Sequence, residues 1–510
     1  MNIVVVGGGT AGWLTALYAK KVLDDNANIT VIESESIGIL GAGEGSTSQL
    51  PPFLSLLDID VSDLINSCNA SIKNGIKFSG WSNKDYFYSF PSYGALGEHN
   101  FYFPYYLSLI TPLHCIFAAK NGDTDIDYQL VPKMSRENKV PFFFRETFYD
   151  TDIFPGMEIV GDFGLHFDAR LLADYLKDVA ISRGIVREEG IVQKINNDSQ
   201  GNVSSLLVDS GIEVESDFVF DATGFRRLII GEHYKSEWQS FGEHLPAKRA
   251  LPFFTKEDIP PYTEAVAMDA GWMWKIPLQN RMGNGYVFDS DYLTDDEAHD
   301  EIVKKVGYEV EHPTVFSFEA GAYKKVWIKN VLAVGLAAGF VEPLEATSIW
   351  QTTKTLQRFF GDPNSLTIND DGVADIFNKT YVQETESIVS FLYLHYLVEG
   401  TGSKFWKEFQ DKNKPTELIS NILSVVNKRP LYDEIDFHRD WTFNAYDYNQ
   451  ILTGTQIFDQ AKLKAMKIHN EDTNQEKYDT MKSNQNQVMP MLDSHSQFLQ
   501  KIKNKEDNNG

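Results

Sequence analysis

The sequence predicts an α/β fold, and three observations near the start of the 510-residue chain support this prediction. Residues 2–6 form a short, apolar, β-branched run, which is typical of a buried parallel strand. Glycines follow at once, and in residues 13–23 apolar side chains recur at helical spacing. A second apolar run, residues 29–32, ends at Glu33. Strand, helix and strand within about 30 residues make a βαβ unit, the building block of a parallel sheet.

The glycines between the first strand and the helix are spaced as G-x-G-x-x-G, with Gly7, Gly9 and Gly12 in the three positions. Glycines allow a pyrophosphate to approach the backbone, and a helix N-terminus offers it free N–H groups. Glu33, at the end of the next strand, can accept hydrogen bonds from ribose hydroxyls and would repel a 2′-phosphate. The pattern therefore favours FAD or NAD over NADP. The alternative is a tight strand-to-helix turn that binds nothing.

Composition excludes several classes of protein. The formal net charge is −26 and no basic stripe is present, which argues against nucleic acid or an anionic membrane as a partner. The longest apolar stretch, residues 331–341, is too short to span a bilayer. We see no secretory signal pattern, and two cysteines make neither a disulfide framework nor a metal site. We expect a soluble, cytoplasmic protein without a metal.

The rest of the chain suggests a nucleotide-binding part assembled from separated segments. Residues 218–220 and 331–334 resemble further buried strands, residues 380–397 and 497–502 have helical patterns, and residues 504–510 resemble a frayed tail. No linker separates clean domains. We expect residues 1–390 to hold the nucleotide-binding box, built from about 1–80, 158–230 and 325–390, with substrate-side insertions between them. Residues 391–510 are expected to form a mostly helical substrate-side region and a polar C-terminal tail.

Two motifs are more specific than the glycine pattern alone. Residues 7–13 read G-G-G-T-A-G-W, with a tryptophan directly after the last glycine, and residues 271–277 read G-W-M-W-K-I-P. Five other segments belong to the same set, in residues 41–46, 69–78, 166–175, 221–226 and 340–345. In content and order this set resembles the flavin-dependent halogenases of the tryptophan-halogenase family, whose signature is W-x-W-x-I-P.

The resemblance implies a fold and a reaction. The fold is a Rossmann-type, flavin-monooxygenase-like FAD-binding box with a mostly helical substrate-binding pyramid. The reaction uses reduced FAD (FADH2), oxygen and a halide to make hypohalous acid, which halogenates an electron-rich aromatic. No second nucleotide fingerprint is evident, so a separate flavin reductase is the expected source of FADH2. The residues implied to bind FAD are Gly7, Gly9, Thr10, Ala11, Gly12, Glu33, Gly43, Glu44 and Gly335.

The resemblance also implies two catalytic residues, Lys73 and Glu345. An ammonium group can hydrogen-bond hypohalous acid and polarise its halogen, and a neutral amine could form a haloamine. A carboxylate can stabilise positive charge on the attacked ring and accept its proton. Without the resemblance, Lys73 and Lys77 are spaced as two solvated lysines on one helical face would be.

The halide is expected at the backbone N–H groups of Thr347 and Ser348. Here the chain departs from the family, because Ala346 replaces a serine and Ser348 a glycine. Chloride, bromide and iodide are candidates, and the departures suggest a preference for bromide or iodide. Trp272 and Trp274, with Pro277, are implied to line the flavin side of a tunnel that keeps substrate away from the flavin. The alternative is a pair of core tryptophans on one strand face.

The substrate end matches the family less well. Phe90 can stack on a ring, but the histidine that precedes this phenylalanine in tryptophan-specific enzymes is missing from residues 86–90. The family's late tyrosine pair is reduced to Tyr448 followed by Asn449. These changes argue against free tryptophan and favour an indole, a phenol or a similar small aromatic. Two other functions stay open from the sequence: a flavin-dependent aromatic hydroxylase, and a flavoprotein that binds FAD without catalysis.

Overall fold

A computed structural model describes residues 1–38, 43–91, 104–121, 130–144, 153–154, 157–311, 314–367, 371–437 and 442–507. The chain forms two compact units, and each is built from segments that are distant in sequence. The first unit comprises residues 1–69, 167–242 and 319–386. The second comprises residues 70–166, 243–318 and 387–510.

The first unit is organised around a six-stranded sheet. Its strands lie in the order Val186–Glu189, Asn28–Glu33, Asn2–Val6, Phe218–Asp221, Val331–Ala333 and Trp327–Ile328. The first five are mutually parallel, and the last is antiparallel to its neighbour. The central strand is buried on both faces, with Ile3, Val4 and Val5 at most 1% exposed. This burial explains why the strand is a continuous apolar run rather than an alternating one.

The helix Thr10–Leu23 follows the first strand directly, and the helices Ala169–Ser182 and Thr347–Gly361 pack against it. The βαβ unit and the later buried strands predicted from the sequence are therefore confirmed. The other helices of this unit are Leu50–Leu56 and Val61–Ser67. Its smaller strands are Gly43–Gly45, Val192–Asn197, Val203–Val208, Glu213–Glu215, Trp238–Ser240, Gly321–Tyr323 and Gly339–Phe340.

The second unit contains a seven-stranded mixed sheet. Its strands lie in the order Phe316–Ser317, Arg249–Thr255, Met282–Phe288, Gly271–Pro277, Thr263–Met268, Gly75–Ser79 and Tyr86–Ser89. Shorter strands are Ser71–Lys73, Phe142–Phe144 and Met157–Ile159. The strand Gly164–Asp168 pairs with Ser71–Lys73, placing His166 opposite Ser71 and Gly164 opposite Lys73.

Helices account for much of what else is described of the second unit. They are Pro104–Asn121, Leu130–Arg136, Asp295–Val306, Lys404–Lys412, Glu417–Val426, Asp433–Asp436, Ala445–Gly454, Gln460–Ala465, Glu471–Val488 and His495–Asp507. The helix Asp371–His395 runs across the boundary in sequence between the units. A frayed tail was predicted from residue 504. For residues 504–507 this prediction is wrong, because the last helix continues to Asp507. Within the described residues, no helix combines the length and apolarity that a membrane span needs.

Candidate active site

The three glycines of the G-x-G-x-x-G loop in the first unit differ in the space around them. Gly7 has a φ of +119°, and a Cβ there would lie 2.2 Å from the carbonyl oxygen of Ala222. A Cβ on Gly12 would lie 1.9 Å from the carbonyl oxygen of Gly7. By contrast, a Cβ on Gly9 would meet no atom within 4 Å. Gly7 and Gly12 are therefore required by packing, whereas Gly9 borders open space at a helix N-terminus.

This open space has the character of a pyrophosphate site. Gly9 caps the helix Thr10–Leu23, and as a glycine it offers no side-chain hydrogen bond to the first N–H groups of that helix. Thr10 and Ala11 lie in its first turn. The N–H groups and the helix dipole attract a phosphate group. The residues present thus fit a dinucleotide cofactor.

Glu33 ends the second strand, as predicted, and its carboxylate is held in place from a neighbouring strand. Nε of Arg187 donates to Oε1 of Glu33 at 2.5 Å. The other oxygen, Oε2, lies beside the glycine loop, where a Cβ on Gly8 would approach it to 2.2 Å. Arg187 was not predicted from the sequence, because its strand gives no local signal for pairing with residues about 155 positions earlier. We infer that Arg187 fixes the orientation of Glu33.

Gly43 and Glu44 lie on the short strand Gly43–Gly45, and Gly43 is buried. Burial, with a smaller contribution from the charge of Asp168, raises the pKa of Glu44 to about 7. The preceding residues of this motif, Gly41 and Ala42, lie outside the described residues. A carboxyl group with this pKa changes protonation state near neutral pH, in a segment that the family resemblance implies to lie near FAD.

Glu345 is 3% exposed and ends the short 3₁₀ helix Pro343–Glu345. Ala346 then adopts a left-handed conformation with a φ of 53°, and the helix Thr347–Gly361 begins directly after it. Thr347 and Ser348 therefore occupy the first turn, where N–H groups have no partner within the helix. Ala346 makes no side-chain cap, and the N-terminus of a helix carries a partial positive charge that favours an anion.

A small cavity in the first unit links two of the predicted residues. Gly335 and Ser348 both line it, together with Ala338, Gln351 and Thr352. Gly335 also adjoins the helix of the glycine loop, since a Cβ there would lie 2.7 Å from Cβ of Ala11. The structure thus places the predicted halide segment and the predicted FAD segments around one region of the first unit.

In the second unit, Lys73 is 1% exposed on the strand Ser71–Lys73. Its Nζ lies 5.6 Å from the centroid of the Phe90 ring. Lys77 lies on the next strand and is half-buried, with Nζ 3.0 Å from Oε1 of Glu264. The alternative of two solvated lysines on a helix is therefore wrong. Lysines are almost never buried to this extent unless they are paired.

Trp272 and Trp274 lie on the strand Gly271–Pro277, and their ring centroids are 6.2 Å apart. The two rings share one face of the strand, as the spacing predicts. Within the described residues, neither indole N–H has a hydrogen-bond partner. The carbonyl oxygen of Pro277, at the end of this strand, accepts a 2.6 Å hydrogen bond from Oγ of Ser71. The tryptophan strand and the Lys73 strand are therefore directly connected.

Phe90 and Tyr448 are held on adjacent elements of the second unit. Both the N–H and the hydroxyl of Ser89 donate to Oε1 of Gln450, at 3.0 and 3.1 Å. Tyr448 is 1% exposed, and its ring centroid lies 4.9 Å from that of Phe391. Burial raises the pKa of Tyr448 well above its usual value, so its phenol stays protonated. The segments that carry the two predicted substrate residues are thus joined through Ser89 and Gln450.

The family model for tryptophan halogenases matches residues 2–471. The chain belongs to this family. A 7-chloro-L-tryptophan 6-halogenase from a Kutzneria species is 27% identical, with 98% of this chain and 99% of that protein aligned. Among solved structures, a flavin-dependent halogenase from Brevundimonas sp. BAL3 is 27% identical, with a TM-score of 0.80 over 98% of this chain and 99% of that one. A flavin-dependent halogenase from Xanthomonas campestris is 26% identical, with a TM-score of 0.81 over 98% of each chain.

Family membership settles the class of reaction. The protein is a flavin-dependent halogenase, an enzyme that uses FADH2, O2 and a halide. FAD is its cofactor, and the fold combines a Rossmann-like FAD-binding part with a substrate domain that contains many helices. The predicted family, fold class, reaction class and cofactor are therefore confirmed. Halogenases of this family work with a flavin reductase, a halide ion and an aromatic substrate.

Proposed function

We propose that this halogenase acts on a small electron-rich aromatic, such as an indole or a phenol, rather than on free tryptophan. In this proposal a separate flavin reductase supplies FADH2. When bound, reduced FAD would supply the activation of O2, the oxidant that converts halide to hypohalous acid. The residues of the chain then hold the halide, direct the acid and orient the ring.

The burial of Lys73 is the observation that carries the proposal. At 1% exposure its ammonium group is removed from bulk water. Hydrogen bonds and charge–dipole interactions are stronger in the protein interior than in water. The Phe90 ring borders it at 5.6 Å, so an apolar aromatic surface lies beside the cation. Lys73 is thus suited to hold hypohalous acid by a hydrogen bond and to present its halogen to a ring.

Glu345 is proposed as the group that stabilises the positively charged ring intermediate and accepts its proton. A carboxylate that is 3% exposed is weakly screened, so its interaction with a developing positive charge is strong. The N–H groups of Thr347 and Ser348, two and three residues further along, are proposed to hold the halide. Replacement of the family's glycine by Ser348 supports the proposed preference for bromide or iodide.

The substrate preference is proposed from the aromatic region around Tyr448. Tyr88 donates its hydroxyl to Asp447 at 2.9 Å, and the rings of Phe391 and Phe437 border Tyr448. Aromatic side chains of this kind are the residues that most readily surround a flat ring. The sequence departures at residues 86–90 and at Asn449 support a ligand other than free tryptophan. Relatives named as tryptophan halogenases make free tryptophan the necessary comparison.

The experiment combines purified protein with FAD, a flavin reductase, NADH, O2 and one halide at a time. Substrates are a panel of indoles and phenols together with free tryptophan, and products are identified by mass spectrometry. Catalase removes hydrogen peroxide. The Lys73→Met variant is compared with Lys77→Met, which removes a lysine from the adjacent strand that is paired with Glu264.

We expect halogenated indole or phenol with the wild type and with Lys77→Met, and loss of at least about 100-fold with Lys73→Met, as is usual when a general acid is removed. Product that persists in Lys73→Met would contradict the role of Lys73. Faster halogenation of free tryptophan than of any other ring would contradict the substrate class. Chlorinated product that dominates in equimolar halides would contradict the halide preference. Hydroxylated product without halide would indicate aromatic hydroxylation instead.

A further inference from the structure

The strand that carries Lys73 forms hydrogen bonds along both of its edges. One edge pairs with residues 164–166 of the neighbouring strand. On the other edge, the N–H of Ile72 donates to Nε2 of His495 at 3.1 Å, between residues that are 423 positions apart in sequence. Nδ1 of His495 lies 3.0 Å from the carbonyl oxygen of Ile259. Because an N–H only donates and a carbonyl only accepts, the neutral ring must carry its proton on Nδ1.

The main chain on both sides of this ring is also fixed. The N–H of His495 donates to the carbonyl oxygen of Asn138 at 2.8 Å, and that of Val140 donates to the carbonyl oxygen of Asp493 at 3.1 Å. His495 itself is 2% exposed. Its imidazole is therefore held in position by the backbone hydrogen bonds around it as well as by its own two hydrogen bonds.

A second histidine fastens the same strand through Ser71. The Ser71 hydroxyl donates its only proton to the carbonyl oxygen of Pro277 at 2.6 Å, so it must accept from Nδ1 of His166 at 3.0 Å. Nε2 of His166 then accepts from the hydroxyl of Thr263 at 2.9 Å. Side chains two residues apart on a strand lie on the same face, so Ser71 and Lys73 share one face. The hydrogen bond between Ser71 and His166 therefore lies on the face that carries Lys73.

Both histidines are held in the neutral form that these hydrogen bonds require. Burial, followed by the charges of Lys73 and His495, lowers the pKa of His166 well below its usual value. Burial lowers the pKa of His495 to about 4, although its hydrogen bond to Ile259 acts in the opposite direction. Neither ring contributes a second positive charge beside Lys73 near neutral pH.

We propose that His495 and His166 are positioning residues for Lys73. His495 acts through the N–H of Ile72, and His166 acts through the hydroxyl of Ser71. Together they fix the backbone from which the Lys73 side chain extends. The ammonium group therefore keeps one position relative to the aromatic ring of the substrate. This inference rests on the proposed role of Lys73 in directing hypohalous acid.

Two substitutions of His495 separate positioning from general stability. In His495→Gln, Oε1 can reach the place of Nε2 and accept from Ile72. In His495→Asn, the amide can reach the place of Nδ1 and donate to Ile259, but no acceptor reaches Ile72. Each variant keeps one of the two bonds. His299→Gln is the matched control, because His299 is another buried histidine of this unit that bonds a backbone carbonyl.

Three quantities are measured: halogenated product per FADH2 consumed, hypohalous acid trapped in solution by a 1,3-diketone, and amide hydrogen exchange in a peptide that contains Ile72. In His495→Asn we expect directed product to fall by about tenfold or more, since small displacements of catalytic groups cost up to about 100-fold. Trapped acid should rise and Ile72 exchange should accelerate, while FAD affinity stays unchanged. The yield of directed product in His495→Gln and in His299→Gln should stay within about threefold of the wild-type yield.

The inference is overturned if the Asn and Gln variants give the same ratio of directed to trapped product. If His495→Asn does not fold, Ser71→Ala decides, since it removes the link to His166 with the loss of one oxygen atom. We expect the same shift from directed to trapped product, and an unchanged ratio overturns the inference. Wild-type protein that halogenates no ring would overturn the proposed function first, and the positioning roles with it.

Discussion

The indole ring of Trp274 occupies the space that a side chain at Gly285 would need. The two residues are paired across adjacent antiparallel strands, and a Cβ on Gly285 would lie 2.0 Å from Cζ2 of Trp274. The orientation of this tryptophan in the family's signature motif therefore depends on a glycine outside the motif.

Substitution Gly285→Ala should displace the Trp274 ring. We expect the free energy of unfolding to fall by about 1–3 kcal/mol, as is typical of overpacking in a tightly packed region. We also expect a changed tryptophan fluorescence spectrum and less halogenated product per FADH2 consumed. Denaturant unfolding and the halogenation assay measure both effects. Gly361→Ala is the control, since a Cβ there meets no atom within 4 Å. Trp274→Leu in the Gly285→Ala background should recover most of the lost stability.

Gly7 and Gly9 should respond differently to alanine. Gly7→Ala introduces a Cβ at a φ of +119° and 2.2 Å from a backbone oxygen, so we expect loss of at least about 3 kcal/mol of stability. Gly9→Ala meets no protein atom and should leave the unfolding transition unchanged. Its Cβ would, however, stand where a pyrophosphate approaches, so FAD affinity should fall by about tenfold or more. Wild-type FAD affinity in Gly9→Ala, measured by flavin fluorescence, would contradict this use of the space.

The sequence predicted those features whose signal is local. The βαβ unit, the end of the second strand at Glu33 and the shared face of Trp272 and Trp274 all follow from short periodic patterns. The four-residue spacing of Lys73 and Lys77 was ambiguous, because helices and strands both tend to bring such residues to one side. Gly75, with a φ of +155°, separates them into two strands.

The remaining features depend on pairings between distant segments. The contact of Ile72 with His495 joins residues 423 positions apart. The orientation of Glu33 by Arg187, and of Trp274 by Gly285, depends on which strands are neighbours and in which register. Hydrophobic periodicity specifies the face of a strand but not its partner. His495, Arg187 and Gly285 could therefore be recognised as partners only in the folded chain.

Glu44 should make the stability of the protein depend on pH near neutrality. Its pKa of about 7 in the folded state lies above the ordinary value of 4.5. Its favourable contribution is therefore complete below pH 4.5 and is lost as the pH rises through 7. A difference of this size corresponds to at most about 3 kcal/mol. Glu44→Gln should be more stable than the wild type at pH 8, and the difference should shrink at pH 5. Denaturant unfolding of the FAD-free protein measures it, with the exposed Glu215→Gln as the control.

His495 should cause stability to fall in mild acid. The pKa of its imidazole is about 4 in the folded state, below the ordinary value of 6.5, so the unfolded chain takes up the proton first as the pH falls. The contribution of the neutral ring is complete above pH 6.5 and is lost between pH 6.5 and 4. For this one group the loss from pH 7 to pH 5 is about 2 kcal/mol. His495→Gln has no proton to gain, so its free energy of unfolding should decline less steeply over the same range. Exposed His469→Gln should keep the wild-type slope, and an identical slope in all three proteins would show that His495 is not held neutral.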